Sequence, residues 1–234
     1  MLVRDGSSCP VGRAAAIASA LGPYRVCRTG TLQRMLPSLP PVTRAIIVAN
    51  VAVFLLQKVP GLPLDAYFAL WPLGTQFAPW QLITYAFLHG SLAHIFFNMF
   101  ALYMFGAALE SFWGARRFLV FYCVSVLAAA ATQLGVQWLS QTGEPVIGAS
   151  GGIFGLLLAF AWYFPRQRIL LLFPPIPMPA WLFVTLYGAL ELVLGVSGAQ
   201  SSVAHFAHLG GMLGGALMIL IWRAQDAPRV RRHF

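Results

Sequence analysis

The sequence predicts an all-α polytopic membrane protein, and three observations support that class. The 234 residues are 59% hydrophobic and only 9% charged, whereas soluble domains carry about 25% charged residues. Six apolar stretches have roughly the length that a bilayer requires. The arginines lie on one side of those stretches, so the net charge of +9 is explained by membrane topology. We therefore expect no nucleic-acid partner.

Residues 1–41 precede the first apolar stretch and are rich in proline and arginine. The apolar run at 14–21 is too short to span a membrane and is unlike a signal sequence. The arginine-rich, acid-poor composition also resembles a transit peptide, and Met35 is a second candidate start. We interpret this segment as a poorly ordered cytoplasmic tail.

Six membrane spans are predicted after the tail. Every arginine falls before span one or at its very start (Arg44), between spans two and three, between spans four and five, or after span six. The positive-inside rule makes that side cytoplasmic, which places both termini in the cytoplasm and the protein in the cell (inner) membrane as a multi-pass protein. The predicted domain covers 42–223, a short basic cytoplasmic tail covers 224–234, and the spans are 43–60, 92–110, 118–139, 147–164, 179–195 and 203–222.

Two connecting segments have unusual composition. The first outer segment, residues 61–91, is long and apolar, and its Trp71 and Trp80 suit a membrane interface. We predict a membrane-embedded outer loop. The stretch RILLLFPPIPMP before span five is predicted to be an extended connector, because its four prolines disfavour a helix.

Few polar side chains lie inside the predicted spans, and such residues are usually functional because burying them in lipid is costly. The candidates for a functional site are on spans two, four and six, all of which enter from the outer side. At about 1.5 Å per residue, each lies within the first one or two helical turns. The topology therefore places five side chains at similar depth: His94, Asn98, Ser150, His205 and His208.

Ser150 lies in the pattern Gly148-x-Ser150-x-Gly152, which fits the nucleophile elbow of soluble hydrolases. Small residues follow at helical spacing, Gly151 and Gly155 on span four and Gly211 and Gly215 on span six. Such faces allow two helix backbones to approach closely. This packing would bring the Ser150 hydroxyl and the His208 ring within about 2.6–3.2 Å, as nucleophile and base require. Simple helix packing is the alternative reading of the glycines.

Other titratable groups are interpreted as lying outside this pair. Glu191 falls between Ser150 and His208 in chain order but near the outer end of span five, so we expect a Ser–His dyad without a carboxylate. Glu110 is expected to be structural, near Arg116 and Arg117. No HExxH motif and no CxxC pair occurs, and haem ligation would leave Ser150 and Asn98 unexplained. We predict no metal and no cofactor.

Three motifs together, HGSLAHIFFN, GASG and AHLGGMLGG, resemble the rhomboid family of intramembrane serine proteases over roughly residues 43–222. The resemblance implies that Ser150 is the nucleophile and His208 the general base and acid. It implies that His94 and Asn98 stabilise the oxyanion. His205 lacks a glycine three residues later, so it is expected to be an interfacial or loop-facing residue.

The same resemblance implies supporting positions and two departures. His89 matches a structural histidine, and ALESFWGARRF matches a Glu–Gly–Arg segment after span two. Gln81 stands where the family usually has arginine, and Phe154 stands where well-known members have tyrosine, although its ring can still stack on His208. The supporting residues are Gly148, Gly151, Phe154, Gly211, Gly215 and Trp80.

The function implied by the resemblance is cleavage of transmembrane segments of other membrane proteins. The implied partners are transmembrane substrates and the lipid bilayer, while the oligomeric state and the physiological substrate are left open. Two other classes stay open at this point. One is a catalytically silent rhomboid-like protein that binds membrane clients, and the other is a transporter or channel.

Overall fold

The computed structural model describes residues 39–141, 144–170, 175–198 and 203–226. The tail predicted at 1–41 lies almost wholly outside the described residues, as does residue 227 onward of the predicted basic tail. Both tail interpretations stay predictions.

Helices dominate the described residues, which confirms the all-α membrane class. Four of them are long and apolar enough to cross a membrane, namely Leu92–Trp113, Ala115–Ser140, Ala180–Ser197 and His205–Asp226, and two shorter apolar helices are Pro41–Leu56 and Ser150–Tyr163. Each predicted span falls on one of these six. In chain order the helices are α1 (Pro41–Leu56), α2 (Leu64–Phe68), α3 (Gln81–Thr84), α4 (Leu92–Ala101), α5 (Ala107–Trp113), α6 (Ala115–Ser140), α7 (Ser150–Tyr163), α8 (Ala180–Ser197) and α9 (His205–Asp226).

Shorter elements join the long helices. A 3₁₀ turn, Tyr85–Phe87, follows α3, and a π-helical segment, Leu102–Gly106, joins α4 to α5. Before α8, strands β1 (Arg168–Leu170) and β2 (Pro177–Pro179) pair antiparallel, with Arg168 opposite Pro179. The predicted extended connector is therefore confirmed at its described residues.

Helix α7 is shorter than its predicted span, because it begins at Ser150 and has 14 residues. At about 1.5 Å per residue it extends about 21 Å, less than the ~30 Å hydrocarbon core. The described residues just before it, 144–149, are non-helical. Irregular backbone at membrane depth is tolerated where it lines a cavity, which is where Ser150 begins its helix.

The glycine faces of α7 and α9 pack as the spacing predicts. A Cβ added at Gly211 would collide with the carbonyl group of Gly151, and one added at Gly215 would lie 3.1 Å from the carbonyl oxygen of Gly155. Gly155 itself faces Ser125 of α6. Helices α7 and α9 thus meet backbone to backbone, with α6 packed against Gly155 through Ser125. This close approach fixes the separation of the side chains at their outer ends.

The first outer segment packs inward through its backbone and a buried tyrosine. Leu70 and Val146 form an isolated β-bridge, and the Gly148 N–H donates to the Tyr85 carbonyl at 2.9 Å. The Tyr85 hydroxyl donates to the carbonyl of Val126 on α6 at 2.9 Å. This segment therefore positions the chain that leads into Ser150. Its predicted place in the outer leaflet stays a prediction.

Gln81, where the family usually has arginine, makes neutral hydrogen bonds within the loop. Its side chain is buried, accepts from the Trp71 N–H at 3.1 Å, and donates to the carbonyls of Tyr67 and Gln76. An amide offers both donors and an acceptor, so one side chain can satisfy three backbone groups of the loop. Trp80 beside it is exposed and donates to the Tyr67 carbonyl at 3.0 Å.

Glu110 has a structural role, and its hydrogen-bond partners lie on α1. Its carboxylate accepts from the backbone N–H groups of Val42 and Thr43 at 2.9 and 2.7 Å and from the Thr43 hydroxyl at 2.7 Å. These groups lie at the first turn of α1, where N–H groups lack partners within the helix and the helix dipole favours an anion. Glu110 therefore ties α5 to α1.

Candidate active site

Ser150 and His208 lie in direct contact, as the helix faces predict. The Ser150 Oγ is 2.7 Å from the His208 Nε2. Phe154, one turn after the serine, stacks on the histidine ring with centroids 4.2 Å apart and an interplanar angle of 7°. Phe154 therefore holds the imidazole in one plane even though it lacks the hydroxyl of the tyrosine that it replaces.

The residue two positions before the serine must be glycine. Gly148 has φ +129°, a backbone conformation that side-chain-bearing residues rarely adopt. A Cβ there would also lie 2.9 Å from the His94 ring. The chain therefore turns tightly past His94 and enters α7 at Ser150, whose N–H lies in the first turn of the helix, where backbone donors lack intrahelical partners.

His94 and Asn98 lie one turn apart on α4. Ser91 caps this helix by accepting from the His94 N–H at 3.1 Å. The His94 Nδ1 accepts from the Gly90 N–H at 3.4 Å, which leaves Nε2 as the protonated nitrogen. Asn98 donates one amide hydrogen to the His94 carbonyl at 2.9 Å and keeps a second for another acceptor. Both side chains therefore offer a donor on the side of Ser150.

A cavity of about 690 Å³ joins these groups, with His94, Asn98, Ser150 and His208 among its lining residues. Gln133 and Gln137 of α6 add polar groups to its wall. Trp80 lies outside this cavity, so the structure does not bring it to the site. The other predicted supporting residues either line the cavity or form the contact of α7 with α9.

The interpretation of Glu191 and His205 as lying outside the site is wrong. Glu191 Oε2 lies 2.8 Å from the His208 Nδ1 and 2.7 Å from the His205 Nδ1. His205 is only 5% exposed and Glu191 only 3%, so neither faces water. The turn of α8 that bears Glu191 faces α9, a rotation that the apolar sequence of span five does not reveal.

Glu191, His205 and His208 form a donor set that zinc could use. The Nδ1 atoms of His205 and His208 lie at hydrogen-bond distances, 2.7 and 2.8 Å, from the Glu191 Oε2. Ligands of a tetrahedral zinc at about 2.0–2.1 Å would lie about 3.3 Å apart. The arrangement therefore fits hydrogen bonding better than metal coordination.

The part of the chain that contains this site is similar to a known protein family. The family model of the rhomboid domain matches residues 76–225, which is more than half of the sequence. The chain belongs to the rhomboid family.

Curated rhomboids resemble this chain over most of its length. Rhomboid protein 1, mitochondrial, from Saccharomyces cerevisiae is 34% identical over 155 residues, 65% of this chain and 44% of its own. Rhomboid protease GlpG from Pectobacterium atrosepticum is 28% identical over 193 residues, 82% and 66%. The human Presenilin-associated rhomboid-like protein, mitochondrial, is 30% identical over 194 residues, 77% and 49%. The chain thus spans less than two thirds of each relative.

His89 packs against His94 in this rhomboid. Its ring is fully buried and meets the His94 ring edge-on with centroids 4.9 Å apart. The backbone N–H of His89 donates to the Gln57 side-chain oxygen at 3.0 Å. Burial, together with the nearby His94, lowers the pKa of His89 to about 4. His89 is therefore neutral at pH 7 and packs as an uncharged ring.

His89 should make the stability of this rhomboid sensitive to acid. Between the unfolded pKa of about 6.5 and the folded pKa of about 4, the unfolded chain binds more protons, so stability falls as pH decreases. We expect a loss of up to about 1.4 kcal/mol per pH unit in that window. Thermal unfolding of detergent-solubilised wild type and His89→Gln at pH 5 to 8 measures it. An identical pH slope in both proteins would contradict the prediction.

Proposed function

We propose that this rhomboid is an intramembrane serine endopeptidase that cleaves transmembrane segments of other membrane proteins. The observation that carries the proposal is the 2.7 Å contact between the Ser150 Oγ and the His208 Nε2 on the wall of a polar cavity between apolar helices. A hydroxyl beside a neutral imidazole nitrogen is the arrangement of an activated nucleophile. A similar chain is named a rhomboid protease.

The reaction follows from this contact as acyl transfer. The His208 Nε2 accepts the Ser150 proton while the Oγ forms a bond to the scissile carbonyl carbon. The same nitrogen then gives the proton to the leaving amine as the carbon–nitrogen bond breaks. Water next attacks the acyl-serine, with His208 again as base, and releases the second product. No metal or cofactor is required.

We propose three donors for the carbonyl oxygen of the substrate. They are the His94 Nε2–H, the second amide hydrogen of Asn98 and the Ser150 backbone N–H, and their residues line one cavity. Donors fixed in advance stabilise the negative charge that develops in the transition state. We assign the oxyanion site to them.

Substrates and location follow from the position of the site. Ser150 begins a helix too short to cross the bilayer, so we propose that substrates are helices cut near their outer end. We place the protein in the inner cell membrane with both termini cytoplasmic, because the arginines lie on that side. Alkaline phosphatase and fluorescent-protein fusions at the C-terminus test the orientation, and an active phosphatase fusion would contradict it.

A serine-directed covalent probe distinguishes the protease from its alternatives. We expect a fluorophosphonate or isocoumarin to label the detergent-purified protein at Ser150, located by peptide mass spectrometry, and EDTA to leave labelling and cleavage unchanged. A client-binding protein without catalysis, or a transporter, would leave Ser150 unlabelled. Loss of activity in EDTA with recovery in zinc would contradict the serine mechanism.

The oxyanion assignment predicts a graded loss. His94→Ala or Asn98→Ala should lower the cleavage rate by about 10²–10³-fold, because each removes one preorganised donor. Ser150 should still react with the probe, though more slowly.

Asn50→Ala is the matched control for Asn98→Ala. Asn50 is also a buried asparagine that donates to the carbonyl four residues earlier, that of Ile46 at 2.8 Å, but it lies on α1 outside the cavity. If the single variants at positions 94 and 98 cleave as fast as the Asn50 control, the oxyanion assignment fails.

A further inference from the structure

We infer that Glu191 is a positioning residue for the Ser150–His208 pair and that His205 holds its carboxylate in place. The inference rests on the proposed protease function. The Glu191 Oε2 lies at hydrogen-bond distance from two ring nitrogens, 2.8 Å from the His208 Nδ1 and 2.7 Å from the His205 Nδ1. Glu191, His205 and His208 are each at least nine-tenths buried.

The carboxylate selects the tautomer of His208. An ionised carboxylate can only accept hydrogen bonds, so the His208 Nδ1 must carry a proton to bond it. In the neutral ring the Nε2 then keeps its lone pair. That nitrogen faces the Ser150 Oγ at 2.7 Å. Glu191 therefore holds His208 in the form that can accept the serine proton.

The carboxylate also stabilises the charge that appears on His208 during attack. The imidazolium forms beside an anion in a buried site, where electrostatic interactions are stronger than in water. The other titratable groups around Glu191 are Tyr187 one turn earlier on α8 and the two histidines of α9, with His94 across the cavity. Within the described residues, the salt bridges of Glu191 go only to His205 and His208.

His205 fixes the carboxylate from the other side. Because both imidazoles contact the same oxygen, Oε2, the carboxylate is oriented between two rings that lie nearly perpendicular, with an interplanar angle of 90°. Removing His205 would free the carboxylate to rotate away from His208. Phe154 still stacks on the His208 ring, so the loss should be partial.

The sharpest test is Glu191→Gln, because glutamine keeps an oxygen acceptor for both histidines but removes the charge. We expect kcat to fall by roughly 10- to 10³-fold, less than the ~10⁴-fold typical of a triad carboxylate, since Phe154 retains the ring. The pH–rate profile should also change, because the variant removes the negative charge beside the imidazolium that forms during attack.

Glu110→Gln is the matched control, since Glu110 is an equally buried carboxylate, 3% exposed like Glu191, whose bonds are to α1. It should lower the thermal stability without moving the pH–rate profile. At position 205, His205→Asn keeps a donor close to the place of Nδ1 and should cleave faster than His205→Ala. This second pair tests the inference if Glu191→Gln does not fold.

The outcomes separate the inference from the proposed function. If wild-type cleavage depends on Ser150 while folded Glu191→Gln keeps the wild-type kcat and pH profile, the positioning role is overturned and the protease assignment stands. If Ser150→Ala still cleaves, both fail. Zinc found in the purified protein by elemental analysis, and lost in Glu191→Gln, would overturn the inference in favour of a metal site.

Discussion

Ser150→Ala is expected to abolish cleavage of a transmembrane substrate. The substitution removes the Ser150 Oγ, which lies 2.7 Å from the His208 Nε2 and is the proposed nucleophile. Loss of the nucleophile in a serine hydrolase lowers kcat by about 10⁶-fold. The hydroxyl contributes little to packing at the start of α7, so the protein should fold normally. Gel-based cleavage with purified protein and a model substrate, together with probe labelling, measures the effect.

Ser140→Ala provides the matched control. Ser140 is exposed at the last residue of α6, where the same chemical change should leave cleavage and labelling at wild-type levels. A folded Ser150→Ala protein that still cleaves its substrate would overturn the protease assignment.

His208→Ala is expected to be inactive and also refractory to the serine probe. An unassisted serine hydroxyl is a weak nucleophile, so both cleavage and covalent labelling depend on the base. Loss of the histidine alone costs about as much as loss of the serine, about 10⁶-fold in kcat. Alanine also removes the ring that stacks on Phe154 and leaves Glu191 with one partner, so a folding control is needed.

His208→Asn separates the base from the scaffold. Its amide can donate to Glu191 near the position of Nδ1, but no atom replaces the Nε2 that faces Ser150. It should therefore unfold closer to the wild-type temperature than His208→Ala while remaining inactive. Cleavage by folded His208→Asn would show that the base lies elsewhere, with His205 as the first candidate.

The sequence indicated the membrane class and the Ser150–His208 contact because both depend on signals that follow the chain. Apolar composition indicates which segments lie in lipid, and the distribution of arginines indicates which loops share one side of the membrane. The glycines at 151, 155, 211 and 215 report a steric requirement, since a Cβ at Gly211 would collide with the Gly151 carbonyl. Shared depth then brings His94, Asn98, Ser150 and His208 together, because helical rise converts residue number into height.

Other features became visible only when the helices were packed. Glu110 accepts hydrogen bonds from the first turn of α1, 67 and 68 residues earlier in the chain. Gln81 satisfies loop carbonyls and an N–H that no local pattern specifies. Such partners are chosen by the approach of separate segments. Sequence spacing within one segment carries no information about them.

The place of Glu191 shows the same limit most clearly. Span five is mostly apolar around Glu191, and in lipid such a helix has no amphipathic pattern that reveals which face meets its neighbours. The sequence alone therefore determined that Glu191 and His205 lie near the outer ends of their spans. Only the tertiary structure decided that α8 turns Glu191 toward α9, because the rotation of a mostly apolar helix is set by its contacts with other helices, here the two histidines that its carboxylate holds.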